Sequence, residues 1–323
     1  MKKNILLTSI TCALAMAATS RAEEVGSAHY FPGATASFID AFPGKPGGLA
    51  VLSYFLAYDA SAGGSRPLPL GGLLSAGIDA NVYAETVAMI YQAPCQVLGG
   101  GLAFGAAFPY LSVEVKGKAQ RIGPGGVPGP VFSTSDTAKG LGDITLYPFM
   151  LGWTNLMPDL KLDLRLGIYT PTGDYNVGQL ANLGKNYWTF EPGIMASWLS
   201  SKIGTEVSLY TALDFNTRND ATDYQSGTSL HLDGTVAQHL PLLGGFIGVG
   251  ANGFYYRQIT GDSGSGARLG DFEGRTVGVG PVLSYVRKVG KSDLVAELKW
   301  LPELDVEKRL KGDMIWFKLG VLF

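Results

Sequence analysis

Ser229, His231 and Asp233 stand at alternate positions of one short stretch, "SLHLDG", and offer a hydroxyl, an imidazole and a carboxylate. Covalent hydrolysis needs such a nucleophile, a base and a group that orients the base. If the stretch is a strand, the three share a face. Side chains two residues apart then lie about 6.6 Å from each other, too far for direct hydrogen bonds. A polar ladder is the stronger reading, and no catalytic residue is expected. The other histidines, His29 and His239, show no metal-ligand spacing, and only Cys12 and Cys95 carry thiols. Asp220, Asp223, Asp262 and Asp271 fall in Gly-, Ser- and Asn-rich stretches that could offer oxygens to calcium, yet the spacing of an EF-hand is absent. They read as loop acids. "GLGD" (140–143) and "GDSGSG" (261–266) lack the strand–loop–helix setting of a phosphate loop. No metal and no cofactor is expected.

What positions these groups is a period of two. In "DLKLDLRLGIY" (159–169), Leu160, Leu162, Leu164, Leu166 and Ile168 share one face, and Lys161, Asp163 and Arg165 share the other. That alternation is the signature of a strand with one apolar and one polar face. It recurs where Val207, Leu209, Leu213 and Phe215 oppose Glu206, Ser208, Tyr210 and Asp214. Leu230, Leu232, Val236 and Leu240 likewise oppose His231 and Asp233, and Leu294, Leu298 and Trp300 oppose Glu297 and Lys299. About twelve strand-like segments are expected, near 48–58, 73–92, 99–116, 140–153, 159–170, 186–199, 204–215, 228–240, 245–260, 272–287, 292–302 and 312–323. Short connections near 93–98, 154–158, 200–203, 241–244 and 288–291 take turns with longer ones near 59–72, 117–139, 171–185, 216–227, 261–271 and 303–311. Outer-membrane barrels show this alternation of tight periplasmic turns and long extracellular loops.

The polar faces could meet water around a soluble sandwich or line the lumen of a membrane barrel. Three features favour the barrel. The chain ends in "MIWFKLGVLF", whose Ile315, Phe317, Leu319, Val321 and Phe323 form one apolar face closing on a terminal Phe. In "YWTFEPGIMASWL", Trp188 and Trp198 share a face ten residues apart with Glu191 opposite. That spacing, tilted in a membrane, projects to about 25 Å, the height of the apolar band between aromatic girdles. Finally, Asp79, Glu85, Glu114, Asp143, Lys161, Asp163, Arg165, Glu206, Asp214, Asp233, Glu297, Lys299 and Lys318 recur in mid-strand. A lumen accepts mixed charges, and substitutions there are expected to be tolerated. The expected fold is all-β, a transmembrane antiparallel β-barrel over 48–323. Pro148, Pro192 and Pro281 mark bulges in its ladder or a lateral gap.

Lys2 and Lys3, an apolar run from Ile5 to Ala18 and "SRA" before Glu23 read as a secretory signal peptide over 1–22. Its removal takes three basic residues and no acid, moving the formal net charge from −2 to −5, which argues against nucleic acid. Residues 23–47 carry Tyr30, Phe31, Phe38 and Phe42. They read either as a plug folded into the barrel or as a periplasmic extension.

Several stretches resemble the meta-pathway of phenol degradation family of outer-membrane proteins. They include "HYFPG" (29–33), "GLGDITLYPFMLGW" (140–153), "YTPTGDY" (169–175), "NLGKNYWTFEPGIMASWL" (182–199), the 204–234 stretch and "YYRQITGDSGSGARLGDFEGRTVGVGP" (255–281). The resemblance implies a transport barrel in the bacterial outer membrane and carries over no catalytic residue. With twelve strands the passage is expected to be narrow or plugged. The expected function is passage of small apolar, aromatic solutes, the alternative being a structural or hydrolase-like barrel. Candidate solute-path residues are His29, Tyr30, Phe31 and Phe38 of the N-terminal segment, with Asp143, Lys161, Asp163, Arg165, Glu206, Asp214, His231, Asp233, Glu297 and Lys299 of the wall. Expected partners are outer-membrane lipid, the barrel-assembly machinery through the strand ending at Phe323, and a small hydrophobic solute.

Overall fold

The computed structural model describes residues 28–42, 44–62, 69–70, 73–122, 128–154, 156–267 and 273–323. Residues 1–22, read from the sequence as a signal peptide, residues 23–27 and Asp271 lie outside the described residues. Fourteen strand segments follow in chain order: β1 (Leu49–Ala62), β2 (Pro69–Leu70), β3 (Leu73–Val97), β4 (Gly100–Ile122), β5 (Pro128–Leu141), β6 (Thr145–Trp153), β7 (Leu160–Tyr169), β8 (Thr189–Leu199), β9 (Thr205–Asn216), β10 (Ser229–Leu242), β11 (Gly245–Gln258), β12 (Arg275–Val289), β13 (Ser292–Glu307) and β14 (Lys311–Leu322). Every ladder is antiparallel. β14 pairs back onto β1 from Ala50–Leu322 to Ser61–Lys311, so the sheet closes on itself.

The ring has twelve stations although the described residues form fourteen segments. β5 and β6 share one station: β4 pairs with β6 through residues 101–107 and with β5 through residues 110–122. β2 adds only two residues to the edge of β3. This corrects the expected strand map in three places. The 117–139 region is mostly strand, not connection, and the 140–153 strand is broken at residues 142–144. Likewise β13 and β14 run into the supposed long loop at 303–311 and leave only residues 308–310 between them. The hairpin of β3 and β4 is 25 and 23 residues long. A strand needs only about 9–11 residues to cross a bilayer, so its far end stands well clear of the apolar band.

Alternation decides the two surfaces. Along β7, Asp163 and Arg165 are buried while Leu164 between them is exposed. The same holds on β14, where Ile315, Phe317 and Leu319 point out and Met314, Trp316 and Lys318 point in. A water-soluble protein would invert this pattern; a barrel whose solvent is lipid has no reason to. Three expected inward acids are corrected. Asp79 and Glu85 of β3 are exposed, and Glu114 of β4 sits out of phase with buried Val113 and Val115. Here the inward face is the apolar one, so alternation alone assigns the wrong side.

Of the three prolines expected to disturb the ladder, Pro148 marks a bulge, since the β6–β7 register shifts between Leu146 and Phe149. Pro192 and Pro281 do not shift the register. Each instead leaves one neighbouring ladder unpaired, β8 against β9 and β12 against β13, because proline has no N–H to give.

Candidate functional site

Residues 28–42 run among the inward side chains, and most are buried. Their backbone makes no strand, so its polar groups must find partners elsewhere. The charged wall supplies them. Asp233 of β10 accepts from the Gly33 amide at 3.2 Å and from the Tyr30 and Thr35 hydroxyls. Glu206 of β9 accepts from the Phe38 amide at 2.7 Å, and Asp163 of β7 from the Phe42 amide at 3.1 Å. Cationic and indole N–H donors of the wall bond to the carbonyls. Lys299 donates to Gly33 and Thr35 at 3.1 and 3.0 Å, Arg165 to Asp40 at 3.0 Å, Lys161 to Ala41 at 3.4 Å, and the Trp316 indole to Pro32 at 3.2 Å.

These charges are themselves paired. Arg165 grips Asp163 with two bonds of 2.7 Å. Glu297 lies 3.1 Å from both Lys299 and Lys318. Lys318 also holds both carboxylate oxygens of Asp40, at 2.7 and 2.8 Å. Asp40 thus carries the segment's own charge into the wall. Buried ions of this kind persist only when each is matched, because desolvation costs several kcal/mol per ion. The lumen is therefore packed and matched, contrary to the expectation that it tolerates substitution freely.

The expected site residues fall into groups. Tyr30, Phe31, Phe38, Lys161, Asp163, Arg165, Glu206, Asp233, Glu297 and Lys299 come together along the segment. His29 sits at one end, 2.7 Å from Thr189 and 2.9 Å from Asp143, with its ring stacked on Tyr169. Asp143 is not on a strand face as expected. It lies in the break between β5 and β6 and accepts the amides of Gly173 and Lys185 at 2.8 and 2.7 Å, which ties down the 171–185 connection. Asp214 and His231 form a separate buried group with Glu191.

The Ser229–His231–Asp233 arrangement does not assemble. The Ser229 hydroxyl accepts from Tyr256 at 2.6 Å, Asp233 serves the segment, and the His231 imidazole faces Glu191 and Asp214. Two of the loop acids, Asp223 and Asp262, tie the connection after β9 to the one after β11. Asp262 is buried and accepts from the Gly227 amide at 3.0 Å, and Asp223 pairs with Arg218 at 2.7 Å.

Glu191 and Lys318 are readable as inward-facing but carry no mark of a site. Asp40 has only one signal, a lone acid in an apolar, aromatic stretch.

The opposite wall behaves differently. There the segment leaves a cavity of about 290 Å³, close to the lower bound of small-molecule sites. Leu52, Leu56, Ala84, Ala88, Ile90, Ala107, Tyr147 and Met150 line it from β1, β3, β4 and β6, and Phe31, Ala34, Phe38 and Ile39 from the segment. Ala88 and Ala107 are cross-strand partners, so two methyl groups stand where larger side chains would fill the space. The lining reaches Asp143 and Lys185 toward one end of the barrel and Lys45 and Phe323 toward the other.

The family model described as "Putative MetA-pathway of phenol degradation" matches residues 58–319. The chain belongs to this family. Its fold is similar to the crystal structure of an outer membrane channel from Pseudomonas putida F1, with a TM-score of 0.60 at 15% identity, covering 88% of this chain and 98% of that one. The β domain of the Bordetella autotransporter BrkA aligns over 86% of this chain and 99% of its own at 14% identity, with a TM-score of 0.43. A search of curated proteins finds no match.

Proposed function

We propose that this member of the family is an outer-membrane channel for small apolar, aromatic solutes, and that residues 28–42 act as a plug that lines the path. The cavity of about 290 Å³ between the segment and the apolar wall carries the reading. Its lining is mostly apolar, with Asp40, Lys161, Arg165 and Glu191 at its border. It offers few unpaired polar groups, since the lumen's charges are engaged with the segment and with each other. An ion entering here would lose its hydration shell without replacement, so ion flow is disfavoured. An apolar solute loses nothing by the same transfer. Membership of a family associated with phenol degradation and the likeness to a channel support the same direction. In this reading the barrel-assembly machinery recognises the strand that ends at Phe323, and lipid covers the outward Leu, Ile, Phe and Trp.

Deleting residues 26–45 behind the intact leader tests it. The ladder bonds close among strands alone, so a barrel is expected to assemble. Planar-bilayer ion conductance should rise, and selective uptake of a labelled aromatic should fall. A truncated barrel that conducts as poorly as the full chain contradicts the plug.

A further inference from the structure

A further group of buried side chains lies beneath the segment, where the Tyr30 ring stacks on His231. The β8–β9 register puts Glu191 opposite Asp214, in the gap that Pro192 opens between the Phe190–Phe215 and Gly193–Ala212 pairs. Both carboxylates are buried, at 2% exposure each. Like charges directly opposite each other on neighbouring strands repel, and burial removes the water that would screen them. A positive charge or a shared proton between them relieves this. His231, from the next strand, β10, is fully buried beside the pair.

The imidazole does not sit as a hydrogen-bonded cation would. Among the described residues, neither of its ring nitrogens has a hydrogen-bond partner. Nε2 stands 3.5 Å from Asp214 Oδ1 and 3.6 Å from Glu191 Oε2. An N–H···O bond between them would close to about 2.7–3.2 Å. Two ligands each bound to a zinc ion at 2.0–2.1 Å in tetrahedral geometry lie roughly 3.4 Å apart. The observed separations fit that edge. We propose that Glu191, Asp214 and His231 form a divalent-cation site of the zinc class within the barrel wall.

The donor set supports this choice of ion. An imidazole nitrogen with two carboxylate oxygens suits zinc, whereas calcium and magnesium favour oxygen alone and more of it. The two carboxylates also balance the ion's charge, so nothing is left uncompensated in a buried place. Glu191 is positioned for the role by the hydroxyls of Tyr169 and Tyr210, which donate to its two oxygens at 2.8 and 2.5 Å. Glu191 borders the cavity, which provides a route inward. A bound ion would also fix the imidazole on which the Tyr30 ring is stacked, at 3.7 Å and 12° between planes. The site would then act as a rivet under the N-terminal segment.

The spacing 191, 214, 231 has no motif to betray it, because the ligands come from three strands and meet only in the closed sheet.

The test uses the full-length barrel, folded in detergent, stripped with a chelator, and then titrated with Zn²⁺ or Co²⁺. The expected result is one equivalent of zinc per chain by mass spectrometry, and visible absorption bands of four-coordinate cobalt. His231→Ala and Asp214→Asn should each weaken binding at least tenfold, while His239→Ala keeps it. Glu191→Gln serves if the alanine variant fails to assemble. Chelation should also lower the thermal unfolding midpoint of the unmodified barrel and not that of Asp214→Asn. Zinc bound no more tightly by the unmodified barrel than by Asp214→Asn or Glu191→Gln would overturn the site. So would cobalt without tetrahedral bands, which would leave His231 as a protonated bridge.

Discussion

Two walls of one barrel solve the problem of an interior in opposite ways. The wall of β7–β10, β13 and β14 faces inward with Asp163, Arg165, Glu206, Asp233, Glu297, Lys299 and Lys318, and residues 28–42 are hydrogen-bonded to it. The wall of β1, β3 and β4 faces inward with Leu52, Leu56, Ala80, Ala84, Ala88 and Ala107, and it is left partly open. The contrast teaches what a buried charge demands. A wall rich in ions must be covered by groups that match them, and a non-strand peptide with free amides and carbonyls is such a cover. An apolar wall demands nothing and can stay vacant for a solute.

The largest expected effect comes from unmatching the charged wall. Lys318→Met leaves Asp40 and Glu297 with one fewer partner. Breaking a buried pair of this kind costs about 3–5 kcal/mol. Urea unfolding of the detergent-folded barrel should show it, and protease cleavage within 28–42 should become faster. A stable variant with a protected segment would mean that the ion pairs do not hold it.

Arg165→Leu and Leu164→Arg, neighbours on opposite faces, compare inside with outside. An arginine at position 164 near the bilayer midplane should cost about 2–4 kcal/mol. A leucine at position 165 strands Asp163 and the Asp40 carbonyl, and its damage should be rescued by the second change Asp163→Leu. The lipid-face damage should not respond to that change. If both variants respond alike, the assignment of faces is wrong.

Much of this was legible beforehand, and the two walls also explain what was not. Where polar and apolar residues alternate with the ions inside, as along β7, β9, β10, β13 and β14, period two gives both the strand and its orientation. Along β3 the same period puts Asp79 and Glu85 outside, because Ala80, Ala84 and Ala88 are the inward set. Alanine is too small and too common to announce a face. The station shared by β5 and β6 was hidden in Gly- and Pro-rich sequence that reads as loop. The site followed the same rule. Its charged residues were visible one by one, but their partners on the segment, Asp40 and the backbone of Gly33, Phe38 and Phe42, were not. Backbone groups leave no mark in a sequence.

The smallest effect is expected at the far end of the long hairpin. Glu114 and Lys116 pair at 2.8 Å on the outward side. Glu114→Gln should leave the unfolding midpoint, uptake and conductance unchanged, since exposed pairs contribute little. A measurable loss there would show that this face is covered by something else.

The sharpest division between the walls is functional. Ala88→Phe with Ala107→Phe fills the apolar side without touching any ion pair, whereas Lys299→Met disturbs the charged side without entering the cavity. Uptake of a labelled apolar aromatic into proteoliposomes separates them. The account predicts that the double phenylalanine variant assembles normally, keeps its segment protected from protease and loses uptake, while Lys299→Met retains entry of the solute and leaks ions. Unchanged uptake through the filled cavity would contradict it.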